Sequence, residues 1–526
     1  MKRQCVFIMT DSQRWDMVNC YRETGLRTPS LDALAAQGLR FERAYTTQPV
    51  CGPARSALFT GLFPSSCGSW SNGMAPQANV KTIGQRLSAR GIHCAYIGKW
   101  HLDGSDYFGT GRCPAGWDAA EWYDMRRYLE ELPRVARITS RSPQRMAIDP
   151  VQPEDTYGWR VAQRAIAFME AHRAEDYFLV VSLDEPHYPF LCPPPYDHMY
   201  DDFTFPKGRA VYDDLTGKPD YQRVWRAEKP PMDPQALRIS RPDFFGCNTY
   251  ADALIGQVLR AVPEEALVIY TSDHGDMLHS HGLFAKGPAA YDDVTRIPLI
   301  IRHPQGGRDQ VYTGGPVSHI QLCPTVVDFF GLPLPRAFQG ESLLPIVLDP
   351  ARPAPPYAFM EFARFETDHD HYGGFQPMRA VTDGRYKLAI HLMSTDELYD
   401  LATDPDECVN RIQDSALAPV RDRLHDALLA HMCQIRDPFR GYYWERRPWR
   451  KDAPPAAWRY RGYTRQQEDE DDMPRQLDYV NGLPMKASQR LKITNNKIQA
   501  QSLEELADKL AHYDDAKEDT PCNPPV

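Results

Sequence analysis

The chain predicts an α/β fold: a large, mixed, mostly parallel sheet between helices, followed by a smaller C-terminal α+β domain. Three observations predict it. Four short apolar runs each stop abruptly at a chemically reactive residue. Helix start and stop signals fall between them. A proline-rich stretch then separates this alternation from a hairpin and a final amphipathic pattern.

The runs are Cys5 to Thr10, Ile92 to Ile97, Phe178 to Leu183 and Leu267 to Ser272. Continuous apolar runs of this length suit strands covered on both faces, as in a parallel sheet. They lead into Asp11, then Gly98-Lys99-Trp100-His101, then Asp184-Glu185-Pro186-His187, then Asp273-His274-Gly275. Thr28-Pro29 opens a helix, Leu31 and Leu34 give it an apolar stripe, and Gly38 closes it. Alternation of this kind argues for layered α/β architecture. Ligands in such folds sit outside the carboxyl ends of the strands, so the residues after each run should converge on one rim. Asp349-Pro350-Ala351-Arg352-Pro353-Ala354-Pro355-Pro356 reads as a linker. We therefore place a catalytic domain at 1–349, a smaller α+β domain at 350–440 and an extended tail at 441–526. Within the second, Arg379 to Thr382, Asp383-Gly384 and Arg385 to Ile390 read as a hairpin. Val420, Leu424, Leu428 and Ile435 mark a closing helix. Glu468 to Asp472 in the tail reads as a solvated charge run.

With 526 residues, the chain is too long for one ordinary core. Charged residues make up 25% and hydrophobic ones 42%, as in soluble globular proteins. A net charge of −10 argues against general nucleic-acid binding. No apolar run spans a bilayer, and the first run is too short for a signal segment, so membrane attachment is not expected and a cytoplasmic address is. The 12 cysteines occur singly, without any Cys-x-x-Cys pair, which suits reduced thiols better than disulfides or a zinc site.

One cysteine stands apart. Cys51 opens Cys51-Gly52-Pro53-Ala54-Arg55-Ser56-Ala57-Leu58-Phe59-Thr60-Gly61, which continues as a helix. At a helix amino terminus the dipole favours developing negative charge. Arg55, one turn along, could hold a nucleophile oxygen with its fork of donors. Asp11, Asp273 and His274 form a second set, in which the hard carboxylate oxygens suit a divalent cation. Lys99, His101, His187 and Lys286 form a third, able to neutralise a dispersed anion such as a sulfate ester. We read His187 as the group that protonates a leaving alcohol. Lys99 and His101 are read as orienting the nucleophile and accepting its proton.

The Cys51-x-Pro53-x-Arg55 string resembles the maturation signature of the type I sulfatases, members of the alkaline phosphatase superfamily. Asp11, Cys51 to Gly61, Gly98 to Leu102, Glu185 to Phe190, Ser272 to Gly275, Lys286 and Leu398-Tyr399-Asp400-Leu401 resemble sulfatase landmarks in family order. Met9-Thr10-Asp11, Tyr96 to Gly104, Asp184 to His187 and Arg436 to Arg440 are most similar to the YidJ-type sulfatases of bacteria. The resemblance implies an alkaline phosphatase-like fold and oxidation of Cys51 to formylglycine by a maturing enzyme. It implies a hydrated aldehyde, one hydroxyl of which attacks sulfur while the other later expels sulfate. It places the metal among Asp11, Ser12, Asp273, His274 and the oxidised side chain of Cys51. Ca²⁺ is the first expectation, with Mn²⁺ or Mg²⁺ as alternatives. Ser12 stands where the family commonly carries Asp, Asn or Gln, and a hydroxyl is a weaker ligand. His274 replaces the commoner Asn, and imidazole is more welcome to Mn²⁺-like ions.

Two rival readings stay open. One is a phosphonate monoester hydrolase or phosphodiesterase on the same scaffold; those enzymes carry Tyr and Thr where this chain has Lys99 and His101. The other is an unmatured, non-catalytic anion-binding protein. The expected substrate is a small sulfated carbohydrate. Asn72, His371 and Arg379, with His369 and Tyr372, are candidate entrance residues, and Asn72 matches a family residue near the nucleophile. Self-association through the long tail is a further expectation.

Overall fold

A computed structural model of the chain describes residues 2–455, apart from 105–106, 143, 207, 229–238, 240 and 367–374, together with 502–505 and 507–509. Its main sheet holds seven strands. In chain order these are β1 (Gln4–Thr10), β2 (Leu39–Phe41), β3 (His93–Gly98), β4 (Tyr177–Ser182), β5 (Leu267–Ser272), β6 (Leu299–Arg302) and β7 (Gln310–Tyr312). They lie side by side as β3-β4-β1-β5-β6-β2-β7. The first four are mutually parallel, β6 runs antiparallel to both its neighbours, and β2 and β7 are parallel. The predicted mixed, mostly parallel sheet is therefore present.

Alternation along each strand builds two cores. Val6 and Ile8 of β1 face one side with Ala95, Ile97, Leu179, Val181, Val268 and Tyr270. Helices α1 (Pro29–Ala36), α3 (Tyr157–Ala171) and α4 (Pro242–Ala261) cover that side. Cys5, Phe7 and Met9 face the other, beneath α2 (Cys51–Thr60) and α5 (Leu322–Phe329). Both faces of β1 are covered, which is why it reads as an unbroken apolar run. Each fully buried Val, Ile or Phe contributes about 1.5–3 kcal/mol. The parallel register sets Met9 and Gly98 level with Ser182, and Thr10 level with Ser272. Asp11, Lys99, Asp184 and Asp273 therefore emerge on a common rim.

Gly98 is required there. Its φ is +128°, and a Cβ would stand 1.9 Å from the carbonyl oxygen of Ser182. That close approach delivers the Lys99 amide to the same carbonyl, 2.9 Å away. Gly98→Ala is expected to cost about 3–5 kcal/mol, the sum of backbone strain and steric overlap. Chemical denaturation of the variant measures it, and a loss below about 1 kcal/mol would contradict the close approach.

The second sheet is antiparallel: β8 (Ala358–Phe362), β9 (Met378–Thr382), β10 (Tyr386–His391) and β11 (Glu397–Asp400). The expected hairpin is the β9–β10 pair, with Gly384 at φ +90° in its turn. Helix α6 (Ala418–Gln434) packs Leu424, Leu428 and Met432 against Val381, Leu388 and Ile390. The opposite face packs Ala358, Met360 and Phe362 against Tyr45 and Val50 of the larger domain. The smaller sheet thus buttresses the segment that leads into Cys51.

The tail expected to be extended is folded at its start. Trp444 is buried, and Arg447 pairs with Asp396 at 2.8 Å. Glu468 to Asp472 lie outside the described residues. No described helix is long and apolar enough to cross a membrane.

Candidate active site

Cys51 is the first residue of α2, and all ten residues of that helix are buried. Phe59, two turns on, packs against Phe7, Tyr96 and Trp100, which fixes the helix over the sheet rim. Val50 supplies no side-chain cap. Asn72 does so instead: its Oδ1 accepts from the Gly52 amide at 2.9 Å, and its Nδ2 donates to Glu366 at 3.4 Å. Asn72 therefore caps the helix that Cys51 opens.

Around the Cys51 sulfur stand Lys286 Nζ at 2.6 Å, His274 Nε2 at 3.2 Å and Asp11 Oδ1 at 3.6 Å. His274 Nδ1 lies 2.8 Å from the Gly275 carbonyl, so it donates there and leaves a lone pair on Nε2. One ligand atom each from Asp11, Cys51, Asp273 and His274 falls within 4.8 Å of the others. His274 Nε2 is 3.6 Å from Asp273 Oδ1 and 3.9 Å from Asp11 Oδ1. Ser12, at φ +64°, donates its amide to Asp273 Oδ1 and its hydroxyl to Asp11 Oδ1. It touches both carboxylates and orients them.

The donor chemistry fits a divalent cation. Two buried carboxylates face each other, and an imidazole lone pair points between them. Burial, then the charge of Asp11, pushes Asp273 upward. Burial acts the same way on Asp11, but Lys99, His187, Lys286 and Arg55 together hold it well below the usual carboxylate range. Cys51 itself is pushed up to about 11 by burial and then by Asp11, against Lys286 and Lys99. As an unmodified thiol it is a poor nucleophile at neutral pH. Its sulfur occupies the place where the oxygens of an oxidised side chain would stand.

Arg55 is engaged by the two carboxylates. Its Nε donates to Asp273 Oδ2 at 3.0 Å and its Nη2 to Asp11 Oδ2 at 3.1 Å. Its Nη1 donates to the Lys99 carbonyl at 2.7 Å and Ser182 Oγ at 2.8 Å. One helical turn places it beside Cys51, yet the side chain is long enough to reach under the site and brace both carboxylates.

Lys99 bridges Asp11 at 2.7 Å and Asp184 at 3.0 Å. Asp184 also meets Arg141 at 2.5 Å and accepts from the Tyr107 hydroxyl. Arg141 donates to that hydroxyl at 2.8 Å, and Lys99 lies 4.1 Å over the Tyr107 ring. His187 Nδ1 donates to the Tyr188 carbonyl at 2.8 Å, while Nε2 faces Asp11 at 4.0 Å. Burial, then Lys99, holds His187 well below its ordinary value, so it is neutral at rest. His101 is buried at φ +55° with its ring edge-on to Tyr107, 5.5 Å away.

Cys51, Lys99, His187, Lys286, Asp11, Ser12, Asp273 and His274 thus share one centre. Arg379 does not join it. It is buried on β9, bidentate to Asp437 at 2.5 and 2.9 Å, with its remaining donors on the Phe362 and Met378 carbonyls. A guanidinium 3% exposed and held by a carboxylate and two carbonyls is turned away from the Cys51 centre. His369, His371 and Tyr372 lie outside the described residues. The residues missed from sequence are Tyr107, Arg141 and Ser182, while Asp184 was expected on the rim but given no role. Of the three, only Ser182 carried a signal, since it lies in the run from Phe178 to Leu183.

Glu185, beside Asp184, is 7% exposed and accepts from the Gly158 amide at 3.0 Å. Burial, then Asp184, pushes it from the ordinary 4.5 up to about 7. A carboxylate raised on folding costs nothing below its unfolded value, and it destabilises the fold increasingly as pH rises from the unfolded value to the folded one. The penalty therefore grows between pH 4.5 and about 7. It corresponds to about 3 kcal/mol at full ionisation. Glu185→Gln is expected to gain up to that amount near pH 8 and nothing near pH 4. Urea unfolding at the two pH values checks this, and equal gains at both would refute it.

Four buried or nearly buried cations, Arg55, Lys99, Arg141 and Lys286, thus meet three carboxylates, Asp11, Asp184 and Asp273. With a divalent ion added, the centre is strongly anion-attracting. A buried cysteine at a helix start, flanked by cations above a parallel sheet, makes a centre suited to anionic esters. A family model described as Sulfatase matches residues 3–332, and one described as N-sulphoglucosamine sulphohydrolase, C-terminal, matches residues 279–434. The chain belongs to the sulfatase family and is a sulfuric-ester hydrolase.

An uncharacterized sulfatase of Escherichia coli (strain K12), YidJ, is 44% identical over 496 residues, covering 92% of this chain and 97% of its own. A solved structure in complex with its substrate, D-glucosamine-2-N,6-O-disulfate, aligns with TM-score 0.68 at 20% identity, over 84% of this chain and 99% of that one. A phosphonate monoester hydrolase from Silicibacter pomeroyi aligns with TM-score 0.67 at 23% identity, over 83% and 96%.

Proposed function

We propose that the chain hydrolyses the sulfate ester of a small sugar, using Cys51 oxidised to formylglycine and one divalent cation, Ca²⁺ in the first instance. The observation that carries this is Lys286 and His274 converging on Cys51 beside two facing carboxylates. Asp11, Asp273 and His274 would hold the cation, with Ser12 against the carboxylates. A bound divalent ion supplies Lewis-acid polarisation of the ester and lowers the cost of an oxygen nucleophile. The oxidised side chain supplies two hydroxyls when hydrated, one to form the ester bond and one to release it.

The chain's own residues do the rest. Lys99 and Lys286 neutralise the sulfuryl oxygens as charge shifts towards the leaving oxygen. Asp184, Tyr107 and Arg141 keep the Lys99 ammonium pointed into the site. His187 presents Nε2 to the site, and a negative ester beside Lys99 favours its protonated form. From there it protonates the leaving alcohol.

Sugar-active relatives support the substrate class. A protein of Bacteroides thetaiotaomicron, 23% identical over 513 residues, is named N-acetylglucosamine-6-O-sulfatase. The eleven described cysteines are free thiols, which suits a reducing compartment such as the cytoplasm. The test is a matured enzyme assayed on sulfated mono- and disaccharides, intact sulfated polymer, aryl sulfate and aryl phosphonate. Turnover of a small sulfated sugar, lost on chelation and restored by Ca²⁺, is expected. Activity on polymer alone, or a preference for phosphonate, would overturn the reading. His187→Ala is expected to lose about 10²–10⁴-fold on sugar sulfates and far less on aryl sulfates, whose leaving groups need no acid.

A further inference from the structure

A second cluster of ligating side chains lies at the opposite end of the strands. His93 opens β3, His172 follows the last residue of α3, and Glu175 sits in the turn into β4. The six-residue strand runs from His93 to Gly98 at the rim of the Cys51 centre, a span of about 17 Å. His93 Nδ1 lies 2.9 Å from Glu175 Oε2, and His172 Nδ1 lies 3.0 Å from Glu175 Oε1. The two imidazole rings are 4.4 Å apart and nearly perpendicular, at 87°. One ligand atom from each of the three residues falls within 4.8 Å of the others. Nothing in the proposed sulfatase chemistry uses them.

The far nitrogens are also provided for. His93 Nε2 lies 2.8 Å from Asp118 Oδ2, and His172 Nε2 lies 3.8 Å from Glu121 Oε1. Metal-bound histidines typically donate their other N–H to a carboxylate, which fixes the tautomer and raises basicity. Here His93 has a carboxylate at hydrogen-bond distance on that side, and His172 has one just beyond it. Three carboxylates also outnumber two imidazoles, so the local field favours a divalent cation. Donor softness differs from the Cys51 centre: two imidazoles and a single carboxylate suit Zn²⁺ rather than Ca²⁺.

We propose that His93, His172 and Glu175 form a Zn²⁺ site that ties the start of edge strand β3 to the end of α3, remote from the ester chemistry. The ion takes the place of the protons shared between the two Nδ1 atoms and Glu175. Each imidazole keeps its proton on Nε2, facing Asp118 or Glu121. The side chains of His93 and His172 are 20% exposed and that of Glu175 is 48%, so the ion is reached from solvent and water completes its shell.

The experiment uses chelator-stripped, full-length protein with Cys51 unmodified. Zn²⁺ uptake is measured by calorimetry, and Co²⁺ serves as spectroscopic probe. Co²⁺ bound at Cys51 gives a thiolate charge-transfer band; Co²⁺ at the proposed site gives none. Wild type is expected to bind a metal equivalent without that band. His93→Gln and His172→Gln each weaken that equivalent at least ~100-fold, and Asp118→Asn weakens it ~10-fold. Circular dichroism verifies folding, and His172→Gln, at a helix end, gives a variant that does not disturb the sheet. Sulfatase activity of matured His172→Gln is expected to match wild type. Metal uptake confined to the Cys51 centre, or equal Zn²⁺ affinity in wild type and His172→Gln, would overturn the proposal.

Discussion

Cys51→Ser protein, made alongside the maturing enzyme, is expected to turn over once and stop. Serine keeps one oxygen at the head of α2, facing Lys286 and the Asp11–Asp273–His274 group. It lacks the second hydroxyl, so the covalent sulfate ester on the introduced serine has no internal route of release. Intact-mass measurement after exposure to substrate should show a stable gain of one SO₃ per chain. Cys51→Ala should show no gain and no burst. Steady-state kcat should fall on the order of 10⁵–10⁶-fold in both, the scale seen when a nucleophile is removed. Multiple turnover by either variant within about 100-fold of wild type would mean that position 51 is not the nucleophile.

Arg55→Met is expected to destabilise the unmodified protein by about 3–5 kcal/mol, because it strips the counter-charge from two carboxylates sealed from water. Arg55, Asp11 and Asp273 are each 0% exposed. The guanidinium also satisfies the Lys99 carbonyl and Ser182 Oγ. Burial cost dominates here, so removing one partner is worse than removing both. Arg55→Met with Asp11→Asn should therefore recover part of the loss, a coupling that a double-mutant cycle reads directly. Denaturation of the four proteins in metal-free buffer provides the measurement. A purely additive cycle would mean that Arg55 acts through packing alone.

The strands were legible because their surroundings are uniform. A strand covered on both faces leaves an unbroken apolar run, and the parallel register then carries the residue after each run to one rim. That logic assembled Asp11, Lys99, His187 and Asp273 from sequence. Cys51 was legible for a different reason, the closeness of Pro53 and Arg55 in the chain. What escaped were side-chain directions and partners set by tertiary packing. Arg55 was correctly placed beside the nucleophile but faces the carboxylates, since a flexible side chain follows the nearest buried charge. Arg379 was read as an entrance residue and is a brace for Asp437, 58 residues away. Tyr107 and Arg141 come from the long excursion between β3 and α3, where no periodicity marks a polar residue that ends up buried.

The depth of α2 has a consequence for timing. Sγ of Cys51 lies under a finished helix, and Pro53 and Arg55 are as inaccessible as the cysteine itself. On the proposed maturation, an oxidising catalyst that must grasp all three reaches them only while the polypeptide is unfolded, so each molecule would commit to being active or inert before its native shape exists. Native thiol-bearing protein mixed with that catalyst should stay unconverted until it is denatured.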